Sequence, residues 1–546
     1  MTIKSEGTMI PGKLKWYAIL ALALWLAFSG VAAAEQLYVN ESGWWRDGGA
    51  FNTSTAPIQA AVDAAAAGDA IYVYGGSYTE NVDVDTPLIT LEGVGADVVI
   101  VTAADSDDHV FEVTADRVNL SCFTVTGATD NWKAGIRLRN ANYCNISKNN
   151  VSNNRNGILM DSCSDNNMLE SNTASNNGCH GIYQYSSDNN TFRNNTANSN
   201  SEYGINLWDS SNNTLTNNKM SGNNHNFGIH GYRLPHYLQN IDTSNKVDEA
   251  PVYFWVDRQN QQIPDDAGYV GIVNSTNITV RDLALTNNGE GVLFAYTKNS
   301  MIENITTSNN WRGIKLWGSS NNTLTNNTAN SNNYYGIHVG GHSDSNMLVN
   351  NNASENDWGI YLEHSSNNVL HSNTANSNNY YGIRIGYSNN NTITCNWMQN
   401  NIEQGIYLYG GSSNNNISYN NIIKNGVLQG GGSYHWQFYN SQSNPVEAKH
   451  NYWGAGMNNE TIDASTYDDE EGWGEVGFYP FETKPAPCAM TPEESRTFTT
   501  TDAVIALQIA AGSRPPDLRW DVSGDKRVTL LDALMISQAA AHAIDL

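Results

Sequence analysis

The sequence predicts an all-β protein, a parallel β-helix solenoid, because one short pattern recurs along most of its length. A glycine followed by isoleucine or valine returns with a step of 22 to 24 residues, apart from one gap between Gly228 and Gly291. This period is typical of solenoids, in which each unit buries its apolar face against its neighbours. The repeat glycines are Gly135, Gly157, Gly181, Gly204, Gly228, Gly291, Gly313, Gly336, Gly359, Gly382 and Gly405.

Each repeat begins with a predicted β-strand, since apolar residues follow the glycine with a period of two. The residue directly after the glycine is isoleucine or valine in every copy, from Ile136 to Ile406. A second, largely apolar column two residues further on includes Leu138, Leu316 and Leu408. We expect both columns to point into the core.

A later strand of each repeat carries an apolar residue that is followed, three positions on, by asparagine. Stacked amides can donate to carbonyl oxygens of the adjacent coil and so satisfy one another inside a core. Leucine-rich repeats, the other candidate architecture, would show leucine at most inward sites and helical returns, and the sequence shows neither. The column consists of Asn149, Asn172, Asn195, Asn218, Asn327, Asn351, Asn373, Asn396 and Asn420.

Residues 1–34 are predicted to be a secretory signal peptide. Lys13 and Lys15 precede an apolar run from Trp16 to Val31, and Ala32-Ala33-Ala34 follows as the cleavage region. The alternative is a retained membrane anchor, but the run is slightly short and no stop-transfer segment follows it. The mature protein is therefore expected to be extracellular or at the cell surface, with no membrane span after cleavage.

Composition excludes several classes of partner. Lys and Arg number 28 against 54 Asp and Glu, and the formal net charge of −26 opposes binding to nucleic acid or to an anionic membrane. Six cysteines in 546 residues do not form a disulfide scaffold. Cys122 and Cys144 are interpreted either as a disulfide between adjacent coils or as small buried residues.

The first part of the solenoid is predicted to be capped by a helix. Residues 55–65 place apolar side chains at helical spacing with proline near the start, and a helix would cover the open end of the core. The helix and the segment IYVYGGSYTENV at 71–82 resemble the start of proteins of the pectin-lyase-like superfamily. That resemblance implies a right-handed parallel β-helix.

The gap in the repeat series contains TSNKVDEAPVYFWVD at 243–257 and AGYVGIVNSTNITVRDLAL at 267–285. With the coils around it, roughly residues 120–425, it resembles the NosD-like β-helix family, except that Glu249 stands where the family usually has glycine. The family name implies copper delivery in the periplasm. The histidines are scattered, His230 and His338 are expected to lie about five coils apart, and a metal-delivery role is the weakest functional alternative.

The solenoid is predicted to span 35–481 and to end in NYWGAGMNNETIDASTYDDEEGWGEVGFYPF at 451–481, which resembles the closing coil of many β-helix proteins. Residues 482–495 contain three prolines and are interpreted as a linker. Residues 496–546 are predicted to form a different domain. Within it, 497–511 and 527–541 are similar segments 30 residues apart, aligned by Asp502 and Asp532.

The second segment carries a predicted calcium site, because DVSGDK precedes it and the ligand positions of a twelve-residue loop bear oxygen donors. The predicted ligands are Asp521, Ser523, Asp525, the carbonyl of Arg527, and Asp532. The duplication resembles a dockerin module, a small α-helical calcium-binding domain that docks a cohesin domain of another protein. The first segment lacks the corresponding acids, so we expect one Ca²⁺ rather than two. The alternative is an acidic turn before an ordinary helix.

The same resemblance implies which residues contact the cohesin-bearing partner. They are the pairs just before the two aligned aspartates: Thr500, Thr501, Leu530 and Leu531.

Outward positions of the solenoid carry a stripe of aromatic residues, joined by Arg137, Arg139, Lys315 and Arg384. Such a stripe can stack on sugar rings, and its cations can bind uronate carboxylates, so a polysaccharide or cell-envelope glycan is a predicted partner. The alternative is that the rings only stabilise neighbouring strands. The predicted carbohydrate-binding residues are Tyr183, Tyr185, Trp208, Tyr232, Trp317, Tyr361, Tyr407 and Tyr409.

Catalysis has weaker support. A polysaccharide hydrolase or lyase needs closely spaced carboxyls or a carboxylate-held calcium with a base, and the best adjacent pair is Asp165 with Asp188 in a polar turn. Solvated turn acids are the ordinary explanation for that pair. Sequons for N-glycosylation are numerous and available only where the asparagine faces outward. They include Asn145, Asn212, Asn274, Asn277, Asn304, Asn416 and Asn459.

Overall fold

A computed structural model describes residues 34–468, 472–486, 500–512 and 527–540. Residues 1–33 of the predicted signal peptide and most of the predicted linker lie outside the described residues. The predicted calcium ligands Asp521, Ser523 and Asp525 also lie outside them.

The predicted all-β parallel solenoid is confirmed. Each regular coil contributes strands to three faces, and these strands pair in parallel with their equivalents in the next coil, as Ile314 does with Ile337 and Leu324 with Leu348. Gly43–Arg46 and Asn52–Thr53 at the N-terminal end pair antiparallel instead. Hydrogen-bonded coils are 22 to 24 residues apart in the regular repeats and 26 apart in the earlier ones.

Before the interruption the coils form sheets A, B and C. Sheet A consists of Gln36–Asn40, Gly43–Arg46, Asn52–Thr53, Ala70–Val73, Thr90–Gly93, Asn119–Ser121, Asn145–Ser147, Met168–Glu170, Thr191–Arg193, Thr214–Thr216 and Asn240–Ile241. Sheet B consists of Gly76–Thr79, Val99–Thr102, Thr124–Thr126, Asn150–Val151, Thr173–Ala174, Thr196–Asn198, Lys219–Ser221 and Lys246–Val247. Sheet C consists of Val82–Val84, Phe111–Val113, Ala134–Arg139, Asn156–Asp161, Ile182–Tyr185, Tyr203–Trp208 and His225–His230.

After the interruption sheets D, E and F continue the three faces. Sheet D consists of Ala250–Val256, Tyr269–Val273, Glu290–Ala295, Arg312–Trp317, Tyr335–Gly340, Trp358–Glu363, Ile383–Gly386, Ile406–Tyr409, Phe438–Ser441 and Thr466–Tyr467. Sheet E consists of Gln259–Gln262, Thr276–Arg281, Met301–Glu303, Thr323–Thr325, Met347–Val349, Val369–His371, Thr392–Thr394 and Asn416–Ser418. Sheet F consists of Ala284–Thr286, Thr306–Ser308 and Thr328–Ala329, with Trp397–Gln399 and Asn421–Ile423 further along. Two short pairs close the series, Val427–Leu428 with Tyr434–His435 and Val446–Glu447 with Val476–Gly477.

The core is a continuous stack of inward side chains. In the coil that begins at Gly313, the residues Ile314, Leu316, Leu324 and Ala329 are all fully buried. Both predicted apolar columns therefore point inward. The register at Gly228 differs from the prediction, because Phe227 pairs with Ile205 and Ile229 with Leu207. The two apolar residues that flank Gly228 occupy the core positions, which moves the glycine to the outer face.

The predicted asparagine column is confirmed as a buried ladder. The Nδ2 of Asn351 donates to the carbonyl oxygen of Leu324 at 2.9 Å, and its Oδ1 accepts from the backbone amide of Asn327 at 3.1 Å. Asn451 of the closing coil continues the column by accepting from the amide of Asn420 at 2.8 Å. Two further columns do the same at other bends. They include Asn332, Asn356, Asn378, Asn401 and Asn425 in one, and Asn322, Asn346, Asn368, Asn391 and Asn415 in the other.

The repeat glycine is explained by space rather than by backbone conformation. A Cβ on Gly336 would lie 2.6 Å from the Nδ2 of Asn356 and 2.8 Å from the carbonyl oxygen of Gly359. The same clash with a ladder amide recurs at Gly313 and Gly382. The glycine and the ladder asparagine of the next coil are thus complementary parts of one bend.

The interruption joins the two halves of the solenoid. After His225–His230 the chain forms the short helix Leu234–Tyr237, and residues 246–251 reverse direction in an antiparallel pair. The chain later returns beside the last strand of sheet C, where the amide of Gly289 donates to the carbonyl oxygen of Phe227 at 2.8 Å. Few strands of this face therefore separate His230 from His338, and the expected distance of five coils is wrong.

The N-terminal cap is confirmed as the helix Pro57–Ala64, which buries Ile58, Ala61 and Val62. Glu80 fixes it by accepting hydrogen bonds from the backbone amides of Ile58 and Gln59. Cys122 and Cys144 are both free thiols. The coil is 26 residues long here, so Cys122 lies next in chain to the Ser121–Ser147 pair and not level with Cys144.

Within the described residues, three further helices follow the repeats. Asn459–Asp463 belongs to the closing coil, and Thr500–Ala510 packs against Leu530–Ala540. Asp532 is buried, and its Oδ2 accepts from the amide and hydroxyl of Thr529 at 2.6 and 2.8 Å. Leu530 is 67% exposed. Within the part of the chain that the structure describes, no helix is both long and apolar enough to cross a membrane.

Replacement of Asn351 by alanine tests the ladder. The variant leaves the Leu324 carbonyl and the Asn327 amide buried without partners, so we expect the free energy of unfolding to fall by about 3 kcal/mol in guanidinium titrations. The matched control is Asn379→Ala, because the Asn379 amide is exposed and donates only to Asp357. That change should cost less than about 0.5 kcal/mol. Equal losses in the two variants would contradict the ladder's role.

Candidate functional site

The candidate site lies on the outer surface of sheet D, where the parallel register stacks chemically varied side chains. The residues two positions after the repeat glycines pair in the order Lys315, His338, Tyr361, Arg384, Tyr407. Because successive parallel strands lie about 4.8 Å apart, side chains from neighbouring coils contact one another directly. The inward residues between them fix this outer row in place.

Arg384 lies at the centre of an aromatic cluster. Its guanidinium carbon is 4.2 Å from the ring centroid of Trp358 and 4.4 Å from that of Tyr409. The rings of Tyr361, Tyr381 and Tyr407 lie 5.0 to 5.6 Å away. Arg384 forms no ion pair with any residue that the structure describes. The cation is therefore held by ring faces, which leaves its charge without a carboxylate.

The rings continue toward the closing coil. Tyr407 contacts Tyr439 at 5.2 Å, and Tyr439 stacks on Tyr467 at 4.5 Å with an interplanar angle of 16°. Trp473 lies against both of the latter rings. We call this surface the aromatic face. Its members are Trp358, Tyr361, Tyr381, Arg384, Tyr407, Tyr409, Tyr439, Tyr467 and Trp473.

Glycines in the outer column make room for these rings. A Cβ on Gly386 would lie 2.2 Å from the Tyr409 ring, which crosses this position to reach Tyr361. The two tyrosine hydroxyls are 2.6 Å apart as a result. Gly340 accommodates the Trp317 ring in the same way.

A histidine and a carboxylate form a pair beside the aromatic face. The Nε2 of His338 is 3.1 Å from Oε2 of Glu363, and its ring stacks on Tyr361 at 5.1 Å. Burial lowers the pKa of His338 to about 4, although the hydrogen bond to Glu363 acts in the opposite direction. At neutral pH the imidazole is therefore neutral and donates from Nε2 to the carboxylate. Its Nδ1 is buried without a hydrogen-bond partner among the described residues.

A second cluster of charged groups lies where the halves of the solenoid meet. Glu290 is fully buried, and its Oε1 is 3.4 Å from both His230 Nδ1 and Arg312 and 3.5 Å from Lys315 Nζ. Burial raises the pKa of this carboxyl, but His230, Lys315 and Arg312 outweigh burial and hold it below its usual range. Burial lowers the pKa of Lys315 to about 8 despite the attraction of Glu290.

This cluster anchors the segment 231–238 over sheet D. The hydroxyl of Tyr237, a fully buried residue, lies 3.2 Å from Lys315 Nζ. The carbonyl oxygen of Tyr232 accepts from the Trp317 indole at 3.3 Å, and the two rings meet edge to face at 5.8 Å. The interruption thus packs against the face on which the predicted stripe lies.

The predicted carbohydrate residues lie on both sheet C and sheet D. Tyr361, Tyr407 and Tyr409 meet around Arg384, and Tyr232 meets Trp317. His338 joins these two groups, because its ring contacts both Trp317 and Tyr361. On sheet C, Tyr183 contacts His180, Tyr185 is exposed, and Trp208 contacts His230, which lies 3.3 Å from Arg312 of sheet D.

Asp165 and Asp188, the weak catalytic candidates, both bind backbone amides. Asp165 Oδ1 accepts from the backbone amide of Asp188, and Asp188 Oδ1 accepts from the amide of Ser211, each at 2.6 Å. Each carboxylate therefore satisfies a backbone amide at the bend of the following coil.

Sequence reasoning missed two parts of the site. The His338–Glu363 pair stands two and four residues after successive repeat glycines, so a diagonal comparison of neighbouring coils would have found it. Tyr439, Tyr467 and Trp473 follow the regular repeats, where the glycine pattern no longer gives the register.

A family model described as "Periplasmic copper-binding protein (NosD)" matches residues 62–247 and 262–457 of the chain. No curated protein sequence matches the chain.

Similar solved structures include the A-module of the mannuronan C-5 epimerase AlgE6 of Azotobacter vinelandii. It shares 18% identity over 68% of this chain and 95% of its own, with a TM-score of 0.31. The pectin methylesterase PemA from Erwinia chrysanthemi shares 12% identity over 49% of this chain and 82% of its own, with a TM-score of 0.27. A mutant of the periplasmic alginate epimerase AlgG shares 12% identity over 76% of this chain and 77% of its own, with a TM-score of 0.23. At these values the activities of the three proteins carry no argument about this chain.

The described residues do not fit a copper site. Among them no three His, Cys, Asp or Glu side chains converge on one point. His180, His225 and His230 surround the ring of Tyr203, at centroid distances of 5.5, 4.8 and 5.7 Å. A tyrosine ring therefore occupies the centre where a metal would have to lie.

Replacement of Glu290 by glutamine tests the buried cluster. The variant leaves Arg312 and Lys315 without their carboxylate, so we expect a loss of about 3–5 kcal/mol in the free energy of unfolding. Amide hydrogen exchange should become faster in residues 231–241, which the cluster anchors. The matched control is Glu355→Gln, an exposed carboxylate bonded to Ser331, which should change neither quantity. Adding Lys315→Met should recover part of the loss, and unchanged exchange in E290Q would contradict the anchoring role.

Proposed function

The chain belongs to the NosD family, and from this premise we propose that it is an extracytoplasmic protein that binds an acidic polysaccharide on its aromatic face. In the proposed mode, flat sugar faces stack on the rings of sheet D and uronate carboxylates bind Arg384. A dockerin-like module at the C-terminus attaches the solenoid to a cohesin-bearing partner.

The glycan proposal rests on the surroundings of Arg384. Five rings surround its guanidinium, which has no carboxylate partner in the described part of the chain. The cluster therefore presents both a stacking surface and a positive charge. Sugar C–H faces suit the rings, and a planar carboxylate suits the guanidinium. The combination favours an acidic glycan over a neutral one.

Because the protein is acidic overall, binding of an acidic glycan depends on this local cation. A protein with a net charge of −26 repels a polyanion at long range, so binding requires cations at the contact surface. Arg312 and Lys315 lie three coils before Arg384 on sheet D, and Glu290 engages them both. Arg384 is the cation that the aromatic face presents with its charge uncompensated.

The location outside the cytoplasm is supported by the sequence of residues 1–34 and by the word periplasmic in the family's description. The calcium and cohesin proposals rest on the loop pattern and on the two helices of equal length, Thr500–Ala510 and Leu530–Ala540. The proposed partner contacts are Thr500, Thr501, Leu530 and Leu531.

A lyase or hydrolase is the second candidate function. His338 favours it, because Glu363 orients the neutral imidazole and the Nδ1 has no partner, which is the arrangement of a general base. A metal-delivery role has only the family's description in its favour.

Replacement of Arg384 by glutamine tests the glycan proposal. We expect the affinity for polygalacturonate or alginate, measured by calorimetry at low salt, to fall about tenfold, which corresponds to about 1.4 kcal/mol. Arg193→Gln is the control, because Arg193 lies on sheet A and pairs with Glu170. Equal affinities of R384Q and the wild type would contradict the proposal. The polymer should be recovered intact, whereas its cleavage by wild type but not by His338→Gln would favour the enzyme.

Calcium binding is tested on the full chain by titration calorimetry. We expect one Ca²⁺ per chain in the wild type and none in the double variant Asp521→Asn/Asp525→Asn, because two carboxylate ligands are lost. Asp517→Asn, four residues before the loop, should bind as the wild type does. A wild type that binds no Ca²⁺ would contradict the dockerin-like assignment without affecting the glycan proposal.

A further inference from the structure

Nine asparagines of Asn-Xaa-Thr sequons share one local backbone geometry, at several different places in the coil. Each lies at a bend with left-handed backbone, where φ is between 47° and 59°. In every case the middle residue of the sequon is buried and the threonine is not. The nine are Asn189, Asn194, Asn212, Asn274, Asn277, Asn304, Asn321, Asn326 and Asn390.

The solenoid itself creates this arrangement. The middle residue points inward, and in six of the nine sequons it is a buried asparagine, such as Asn322 or Asn391. Its neighbours on either side must then face outward. Eight of the nine bend asparagines are exposed, and the ninth, Asn326, is half-buried. The fold thus buries the asparagine that the core needs and presents the preceding one, with a threonine two residues later.

Asn321 and Asn390 are the most available of these groups. Both are exposed, and their side-chain amides make no hydrogen bond with any described residue. By contrast, the amide of Asn212 donates to Asn189, and Asn277 donates to Asn260. Seven of the nine precede or follow strands of sheets A and E, Asn274 lies between strands of sheets D and E, and Asn277 lies within a strand of sheet E. None of the nine lies on a strand of sheet C or D. A glycan attached there leaves the aromatic face open.

We propose that the bend asparagines, first of all Asn321 and Asn390, are N-glycosylation sites. The Nδ2 of asparagine forms a bond to the anomeric carbon of a sugar activated as a lipid-linked phosphate ester. The bond between that carbon and the phosphate oxygen breaks, the amide loses one proton, and no oxidation or reduction occurs. The inference rests on the proposed location outside the cytoplasm, where such transfer takes place.

The chain contains its own controls. Asn217 and Asn367 are exposed, have the same left-handed backbone, with φ of 55° and 60°, and precede buried ladder asparagines. The residues two positions on are Lys219 and Val369, so neither sequence is a sequon. The amide of Asn217 donates to Asn194 at 2.6 Å, whereas that of Asn367 makes no hydrogen bond with a described residue, so Asn367 is the matched control for Asn321 and Asn390. A modification that follows bend geometry alone would occur equally at Asn367.

The test is mass spectrometry of peptides from the full chain, isolated from the envelope fraction of the cells that naturally produce it. We expect a sugar mass on Asn321 and Asn390 and unmodified Asn217 and Asn367. In the same cells, Thr323→Val should abolish the modification of Asn321, because it removes the hydroxyl while keeping the side-chain shape. Thr323→Ser should retain it, and so should Thr325→Val on the same strand.

The outcomes separate the inference from the proposed function. Bare Asn321 and Asn390 in envelope-located protein would overturn the glycosylation while leaving the location intact. A chain recovered only from the cytoplasm would overturn both. Equal occupancy at Asn367 would overturn the role of the sequon.

Discussion

The asparagine ladders are the interaction on which the whole solenoid depends. Every coil must turn corners, and the backbone amides and carbonyls at those corners lie inside the protein, away from water. An unpaired buried group of this kind is costly, and each coil would add several. Ladder asparagines such as Asn351 and Asn356 supply the missing donors and acceptors from one coil to the next. The repeat glycines exist because these amides occupy the space of a Cβ.

Because the interior is satisfied coil by coil, the outer face is free to differ from coil to coil. The outer face of sheet D carries two different arrangements of charged residues. Near the interruption it buries Glu290 with Arg312 and Lys315, which fastens the segment 231–238 to the solenoid. Further along it holds a half-buried cation, Arg384, among aromatic rings. The first arrangement compensates its charges internally and is structural, whereas the second leaves its charge for a ligand.

Prediction from sequence succeeded where a property repeats. The inward columns, one asparagine ladder and the N-terminal cap all follow from local spacing, and the structure confirms them. It failed at Gly228, because the glycine alone does not set the register when Phe227 and Ile229 fill the core. The other two ladders escaped notice because their asparagines lie in polar bends, where asparagine is common for other reasons.

The sequence by itself determined the solenoid, since a side chain's inward or outward position follows from its place in a short period and is the same in every coil. Only the tertiary structure decided which outward residues act together. Tyr409 reaches Tyr361 across Gly386, and Trp317 meets Tyr232 from beyond an irregular segment. Such contacts depend on ring direction and on how a loop returns to the sheet. Neither ring direction nor the return of a loop recurs with the period of the repeat, so neither can be predicted from it.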